Sequence, residues 1–301
     1  MIVKNKKILI TGGKGFIGRN LVKKLEEKGA LVSIFDLADN HDIQNKNQLQ
    51  DFIKRKYDVI YHLAGLSGSQ RSVQQKLNFI EVNTLAAIDL FELLIKHSPK
   101  TKLIISSSRL EYGSPIYLPV DENHPTVPTS TYGVSKLAAT QLALIYHFKN
   151  NLDVTIFRTS NVYGPHYSSQ FPNYNVVNHF IDLAKQGKTI EIFGKGEQKR
   201  DYLFIDDLVD AFLLAATQKS SGNIYNLGSG WGIKFKDMAN LIIKKIGKGR
   251  LKFVKWPDNL RSVETGSYIT DITKIKKELG FDPKIDFEEG ILKTLNFEIR
   301  N

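Results

Sequence analysis

The opening of the chain restricts its fold more than any other stretch. Lys7-Ile8-Leu9-Ile10-Thr11 is an apolar run of strand length, and Gly12-Gly13-Lys14-Gly15-Phe16-Ile17-Gly18 follows it without a gap. Behind the glycines, Phe16, Ile17, Leu21, Val22 and Leu25 recur at the spacing of one helix face. A strand that ends in a glycine turn and opens a helix lets backbone approach a diphosphate closely, with helix N–H groups aimed at the anion. A second apolar run, Leu31-Val32-Ser33-Ile34-Phe35, closes on Asp36. A carboxylate there accepts hydrogen bonds from both ribose hydroxyls and repels a 2′-phosphate, so the pattern expects NAD rather than NADP.

The first half continues as an alternation. Strand-like runs at 7–11, 31–36, 59–63, 103–107 and 154–158 are separated by helical patterns at 16–28, 47–55, 79–96 and 130–150. Such alternation implies right-handed crossovers, hence an α/β fold of Rossmann type: a doubly wound parallel sheet covered on both faces, with ligands beyond the carboxyl ends of its strands. After Arg158 the texture changes. Pro165, Pro172 and a cluster of Tyr, Asn and Ser interrupt the pattern, and shorter segments follow at 176–186, 190–193, 205–216, 224–227, 235–246 and 271–279. These read as a smaller C-terminal α/β lobe that contributes substrate contacts. The expected division is 1–161 for the dinucleotide domain and 162–301 for the lobe, with about 200–225 rejoining the main sheet.

With 301 residues, 42% of them apolar, the chain suits one large domain or two intimate ones. No apolar run reaches membrane-spanning length, and residues 1–7 lead straight into the first strand, so neither a membrane segment nor a signal peptide is expected. The absence of cysteine excludes disulfides, thiolate metal sites and cysteine nucleophiles, and accords with a cytoplasmic location; no metal is expected. The net charge of +11 is spread over the whole chain, with a mild concentration at 234–255 and no basic stretch interleaved with aromatics. That reads as a lysine-rich solvated surface, not a nucleic-acid platform. Its positive field would draw a diphosphate ligand.

Tyr132 and Lys136 lie four apart in a helical stretch and share a face. A phenol is a poor base at its ordinary pKa of about 10, but an adjacent ammonium and an oxidised nicotinamide would favour phenolate. Such a tyrosine takes a proton from a sugar hydroxyl while hydride leaves for the cofactor. Alone, a Tyr/Lys pair is ordinary helix surface, and its weight comes from the dinucleotide site upstream. Ser106-Ser107-Ser108 ends the fourth strand run. Its hydroxyls either bond the reacting oxygen or cap a helix.

Taken in order, Thr11 to Gly18, His62-Leu63-Ala64-Gly65, Ser106-Ser107-Ser108, Tyr112-Gly113, Tyr132 to Lys136 and Arg200-Asp201-Tyr202 resemble the extended short-chain dehydrogenase/reductase family. More narrowly, the chain resembles the NAD-dependent nucleotide-sugar epimerase/dehydratase group, from the first strand to about Gly280. The resemblance implies that Gly12, Gly15, Phe16, Ile17 and Gly18 hold the pyrophosphate, Asp36 the adenosine ribose, and Asp42 and Ile43 the adenine edge. Leu63, Ala64 and Gly65 would line the cofactor beyond the third strand, with Asn83 as the family's helix asparagine nearby. Ser108, Tyr132 and Lys136 would form the catalytic triad, Lys136 also binding the nicotinamide ribose. Asn161 would contact the substrate, and Arg200, with Arg261 as a second candidate, would bind its phosphates through a planar guanidinium fork. His62 reads as a packed neighbour, residues 226–230 as a turn before a helix, and Trp231 and Trp256 as packing residues.

Departures from the family pattern narrow the chemistry. Family dehydratases place an Asp-Glu pair directly after the catalytic threonine, whereas Arg109-Leu110 stands here and Glu111 comes one place later. Many hexose 4-epimerases carry a lysine after the Ala-Gly-Leu stretch, where this chain has Ser67. The resemblance therefore implies a nucleotide-sugar epimerase, acting at C4 through a transient keto-sugar with NAD retained. A 4-keto-sugar reductase with the same triad, epimerisation at C2 through oxidation elsewhere on the ring, and a non-catalytic binding or scaffold protein are the alternatives. It also implies a homodimer built from helices 79–96 and 130–150, with a family-level role in making surface-polysaccharide precursors.

Overall fold

The computed structural model describes residues 3–166, 175–217, 219–257, 261 and 263–300; Pro172 and its polar neighbours lie outside the described residues. The alternating half forms as β1 (Lys7–Thr11), α1 (Phe16–Glu27), β2 (Leu31–Phe35), α2 (Lys46–Ile53), β3 (Val59–His62), α3 (Ser69–Gln74), α4 (Lys76–Ile80), α5 (Ala86–His97), β4 (Lys102–Ser108), α6 (Thr131–Asn150) and β5 (Val154–Thr159). Then come β6 (Asn161–Tyr163), α7 (Val176–Lys185), β7 (Thr189–Phe193), β8 (Lys199–Phe204), α8 (Ile205–Thr217), β9 (Asn223–Leu227), β10 (Gly232–Lys234), α9 (Phe235–Ile246), β11 (Arg250–Val254), α10 (Thr273–Leu279) and α11 (Phe287–Arg300).

Six parallel strands make the central sheet in the order β2-β1-β3-β4-β5-β9. Side chains alternate faces along β1, and both faces are dry. Ile8 and Ile10 join a core with Leu21, Leu25 and Phe212, while Leu9 joins another with Phe52, Leu90 and Ile156. Register levels the strand ends, with Thr11 opposite both Phe35 and His62. Beyond that line β4 extends through Ser106, Ser107 and Ser108, paired with Phe157 to Thr159 of β5. The glycine turn, Asp36, the segment after His62 and the serines thus meet at one sheet edge.

Two sequence expectations change. The helix expected over 79–96 is interrupted by a wider i→i+5 turn at Glu81–Leu85. There Asn83 and Thr84 reach across to α6, Asn83 Nδ2 donating to Ser135 Oγ at 3.0 Å and Thr84 Oγ1 to the Ser135 carbonyl at 3.0 Å. Periodicity cannot register an extra residue recruited for such a tertiary contact. The segment rejoining the main sheet is also shorter than expected: β9 is its sixth strand, but Lys199–Phe204 belongs to a separate sheet ordered β10-β8-β6. Strands β6 and β10 are three residues each, too short to carry a pattern, and α11 was not anticipated. Among the described residues, no helix is long and apolar enough to cross a membrane, and no group of three His, Cys, Asp or Glu side chains could hold a metal ion.

Candidate active site

The glycine turn is shaped by what a side chain would strike. Gly12 has φ +74°, and a Cβ there would lie 2.7 Å from the Ala64 amide nitrogen. A Cβ on Gly18 would lie 2.2 Å from the Gly12 carbonyl oxygen, whereas Gly15 is exposed and meets only that same oxygen at 3.3 Å. Gly12 and Gly18 hold the turn against its neighbours, and Gly15 leaves the mouth of α1 bare. No side chain caps that helix and no acidic residue stands in the first turn where Phe16 and Ile17 begin, so an anion meets no competitor there. Asp36 is fixed at the rim, accepting from Lys14 N at 2.8 Å and Ala38 N at 2.9 Å, one bond on each oxygen. Each oxygen keeps a further lone pair for a ribose hydroxyl. A diphosphate-linked dinucleotide fits this cradle.

Beyond β3, Leu63 and Ala64 are half-buried and Gly65 is exposed. Asn83 stands behind this segment: its Oδ1 accepts from Leu66 N at 2.8 Å, and its Nδ2 donates to the Leu66 carbonyl at 2.9 Å. Its amide therefore holds the loop. Ile43 is buried in the Leu9 core, and Asp42 accepts from Gln44 N at 2.9 Å in the loop before α2. His62 is the packed neighbour expected, its Nδ1 2.8 Å from Thr11 Oγ1. Burial, with Lys136 nearby, pulls its pKa to about 3.

Ser108 and Tyr132 meet, and Lys136, one helical turn beyond Tyr132, reaches the neighbouring Ser106. Ser108 ends β4 and accepts from Leu110 N at 3.2 Å, so it both caps a short turn and borders the site. The Tyr132 ring packs edge-on against Phe79 at 6.0 Å. Burial pushes its phenol above the ordinary value, while hydrogen bonding from Ser108 and Ser67 pulls it back. Desolvation of the phenolate outweighs both hydroxyls. Lys136 Nζ donates to the Ser106 carbonyl at 2.6 Å, and burial pulls its pKa down to about 8 against the field of Glu111. Ser67 is a site residue that sequence reasoning noted only as a missing lysine. Its position just past β3 was the available signal.

Glu111 is sealed beneath the triad. It pairs with Arg158 Nε at 2.7 Å and accepts from Thr140 Oγ1 at 2.7 Å and from Ser107 Oγ. Arg158 also donates to the Tyr112 hydroxyl at 3.0 Å, and that hydroxyl donates to Asn226 Oδ1 at 2.7 Å. Residues 226–230 are therefore more than a turn: Asn226 is buried in this network, and Asp201 accepts from the backbone of Ser229 at 2.8 Å and Gly230 at 3.0 Å.

A cavity in the C-terminal lobe is lined by Lys255 and Arg261. Arg200 pairs with Glu264 and donates to the Gly266 carbonyl. Glu264 and Gly266 line this cavity, of about 710 Å³, together with Arg261, Lys255, Gln198 and Trp256. Both candidate phosphate arginines thus serve one cavity, Arg261 as an exposed wall and Arg200 through its partners. Asn161 donates to the Asp201 carbonyl at 2.9 Å, which ties it to β8. Trp256 lines the cavity and stacks at a tilt on Phe193, but Trp231 is 77% exposed and packs no core, contrary to expectation.

Residues 8–228 match the family described as the NAD dependent epimerase/dehydratase family. The chain belongs to that family. Its cofactor is NAD, and the glycine cradle with Asp36 just after β2 is the candidate site for it. The chain is 30% identical to a UDP-glucose 4-epimerase of Mycolicibacterium smegmatis, over 96% of this chain and 97% of that one. It is 28% identical to a dTDP-glucose 4,6-dehydratase of Streptomyces niveus, over 97% and 92%. Its fold superposes on the UDP-glucose 4-epimerase of Thermotoga maritima, solved with UDP-glucose, at a TM-score of 0.88 and 28% identity, covering 98% of this chain and 99% of that one. Arg109 and Leu110 follow Ser108 directly, and Glu111 is fully buried.

Proposed function

We propose that the protein is a NAD-dependent nucleotide-sugar epimerase that inverts C4 of a hexose carried on a nucleoside diphosphate, UDP being the favoured carrier. The observation that supports this most is the Tyr132 phenol set between Ser108 and Ser67, with the nearby Glu111 carboxylate tied up by Arg158. When bound, NAD supplies a hydride acceptor that becomes the donor in the return step, so it leaves each turnover unchanged. Tyr132 accepts the proton of the C4 hydroxyl and returns it to the same oxygen after inversion. Ser108 holds that oxygen and relays the proton. Lys136, an ammonium below about pH 8, offsets the phenolate charge. The region 1–161 with α8 and β9 would hold the dinucleotide, and the remaining C-terminal lobe the nucleotide sugar.

Mixing the purified protein with UDP-, dTDP-, CDP- and GDP-sugars, without added cofactor, and following C4 configuration by NMR tests the reading. Interconversion that vanishes in Tyr132→Phe supports it. Conversion that requires added NAD(P)H would reassign the chain as a keto-sugar reductase, and a salt-sensitive complex with RNA and no turnover would favour a binding protein.

We also infer a homodimer through α6 and the helical stretch around Asn83. Val134, Ile145 and Phe148 form an exposed apolar stripe on α6, with Leu77 and Leu85 exposed on the neighbouring stretch. Light scattering tests it, Ile145→Glu with Phe148→Glu being expected to give monomers. A cytoplasmic supply of surface-polysaccharide precursors accords with the cysteine-free composition.

A further inference from the structure

Arg109 occupies a place that its neighbours do not explain. It follows Ser108 directly, its side chain is buried, and its guanidinium lies 5.0 Å from the centre of the Tyr268 ring. Its hydrogen bond to a side chain is a long one, Nη1 to Thr265 Oγ1 at 3.3 Å. Among the described residues no carboxylate pairs with it, because the acid nearest in charge, Glu264, is held by Arg200. Two guanidiniums and one carboxylate leave one positive charge over. Burial and the like charge of Arg200 pull the Arg109 pKa to about 10, so the group stays charged at neutral pH.

Its position is equally specific. Ser108 precedes Arg109 at the proton-transfer centre, and the Arg109 guanidinium reaches Thr265, which lies between Glu264 and Gly266 of the cavity wall. Arg109 therefore stands between the proton-transfer centre and the diphosphate end, along the span a hexose ring must occupy. The hydroxyl of Tyr202, buried without a hydrogen-bond partner, lies in the same charged surround. A guanidinium has five donors in a planar fork that matches a carboxylate, and a neutral hexose hydroxyl would leave its charge uncompensated.

We propose that Arg109 reads an acidic substituent on the hexose, so that the preferred substrate is a nucleoside-diphosphate uronic acid whose carboxylate pairs with this guanidinium. The proposal rests on the epimerase reading for the placement of the hexose. Arg109 is then a specificity-determining residue, and Ser108, Tyr132 and Lys136 remain the proton-handling set.

Titration calorimetry of the NAD-loaded protein with UDP-glucuronate and with UDP-glucose tests this, and requires no variant for its first answer. The expected result is roughly 10- to 100-fold tighter binding of the uronate, the worth of one charge-assisted hydrogen-bonded pair. Equal affinities in the wild-type protein would overturn the proposal. Arg109→Gln should bring the two affinities together by weakening the uronate, and Arg109→Lys should restore part of the difference. Equal weakening of both ligands by Arg109→Gln would place the guanidinium on the diphosphate they share, which also overturns it. If the uronate preference holds but NMR finds no interconversion, the epimerase reading fails and the anion site stands.

Discussion

Arg158 and Glu111 form an ion pair, Nε to Oε2 at 2.7 Å, with both side chains almost wholly out of solvent. The pair takes Glu111 out of the chemistry and makes its carboxylate a support for β4, β5 and α6. Breaking it from one side leaves an uncompensated buried charge. Glu111→Gln and Arg158→Met should each cost about 3–5 kcal/mol of unfolding free energy. Denaturant titration of both variants checks this, and the wild-type protein should release no 4-keto-6-deoxy product from dTDP-glucose.

Ser67 acts on the phenol it faces. Because its hydrogen bonding lowers the Tyr132 pKa, Ser67→Ala should move the phenol further up and slow turnover at neutral pH while dinucleotide binding persists. Tyr132→Phe should lower kcat by about 10²- to 10⁴-fold, the usual weight of a positioned acid–base group. The kcat profile against pH, with NAD binding as a control, separates the two effects.

Lys136 sets the alkaline limit. Its ammonium prevails below about pH 8 and is lost as pH rises through that value, since burial has lowered its pKa from the ordinary lysine range. Activity should therefore decline above about pH 8. Lys136→Met should lose most of the rate at all pH values. In Lys136→Arg, whose guanidinium stays charged, the alkaline decline should disappear from whatever activity remains.

The cofactor end admits a specific test of selectivity. Asp36→Ala removes the carboxylate that accepts from Lys14 N and Ala38 N and repels a 2′-phosphate. The variant should bind NAD more weakly and NADP relatively better, as read by fluorescence titration with the reduced forms. Gly18→Ala should abolish binding of both, because its Cβ would stand 2.2 Å from the Gly12 carbonyl oxygen.

His62 makes the fold acid-sensitive. Its folded-state pKa is about 3, below the ordinary 6.5, so between those values the unfolded chain binds a proton that the folded chain does not. Its contribution to stability is complete above about pH 6.5 and is lost as pH falls toward 3, at about 1.4 kcal/mol per pH unit. His62→Phe should flatten that part of the stability curve, whatever it does to the midpoint at neutral pH. Urea titrations at pH 7, 6 and 5 check it.

Local pattern carried the sheet and pointed to the candidate cofactor site. The runs behind β1 to β5, the glycine turn and Asp36 are legible because each obeys a rule spanning only a few residues: strand alternation, helix periodicity, a turn that excludes Cβ. Tyr132 and Lys136 were legible as a pair for the same reason, since four residues along a helix set them on one face. The C-terminal lobe was less so, because β6 and β10 are three residues long and exist through pairing with β8.

What the tertiary structure alone decided is which charges are spent and which are left over. Glu111, Arg158, Arg200 and Glu264 look alike in a sequence as free ionisable groups, yet folding pairs them two by two and leaves Arg109 buried with no acid paired to it among the described residues. It also set Ser67 before the phenol and buried the Tyr132 ring so that its pKa rises. Desolvation and pairing depend on atoms brought together from distant parts of the chain, and no spacing rule encodes them.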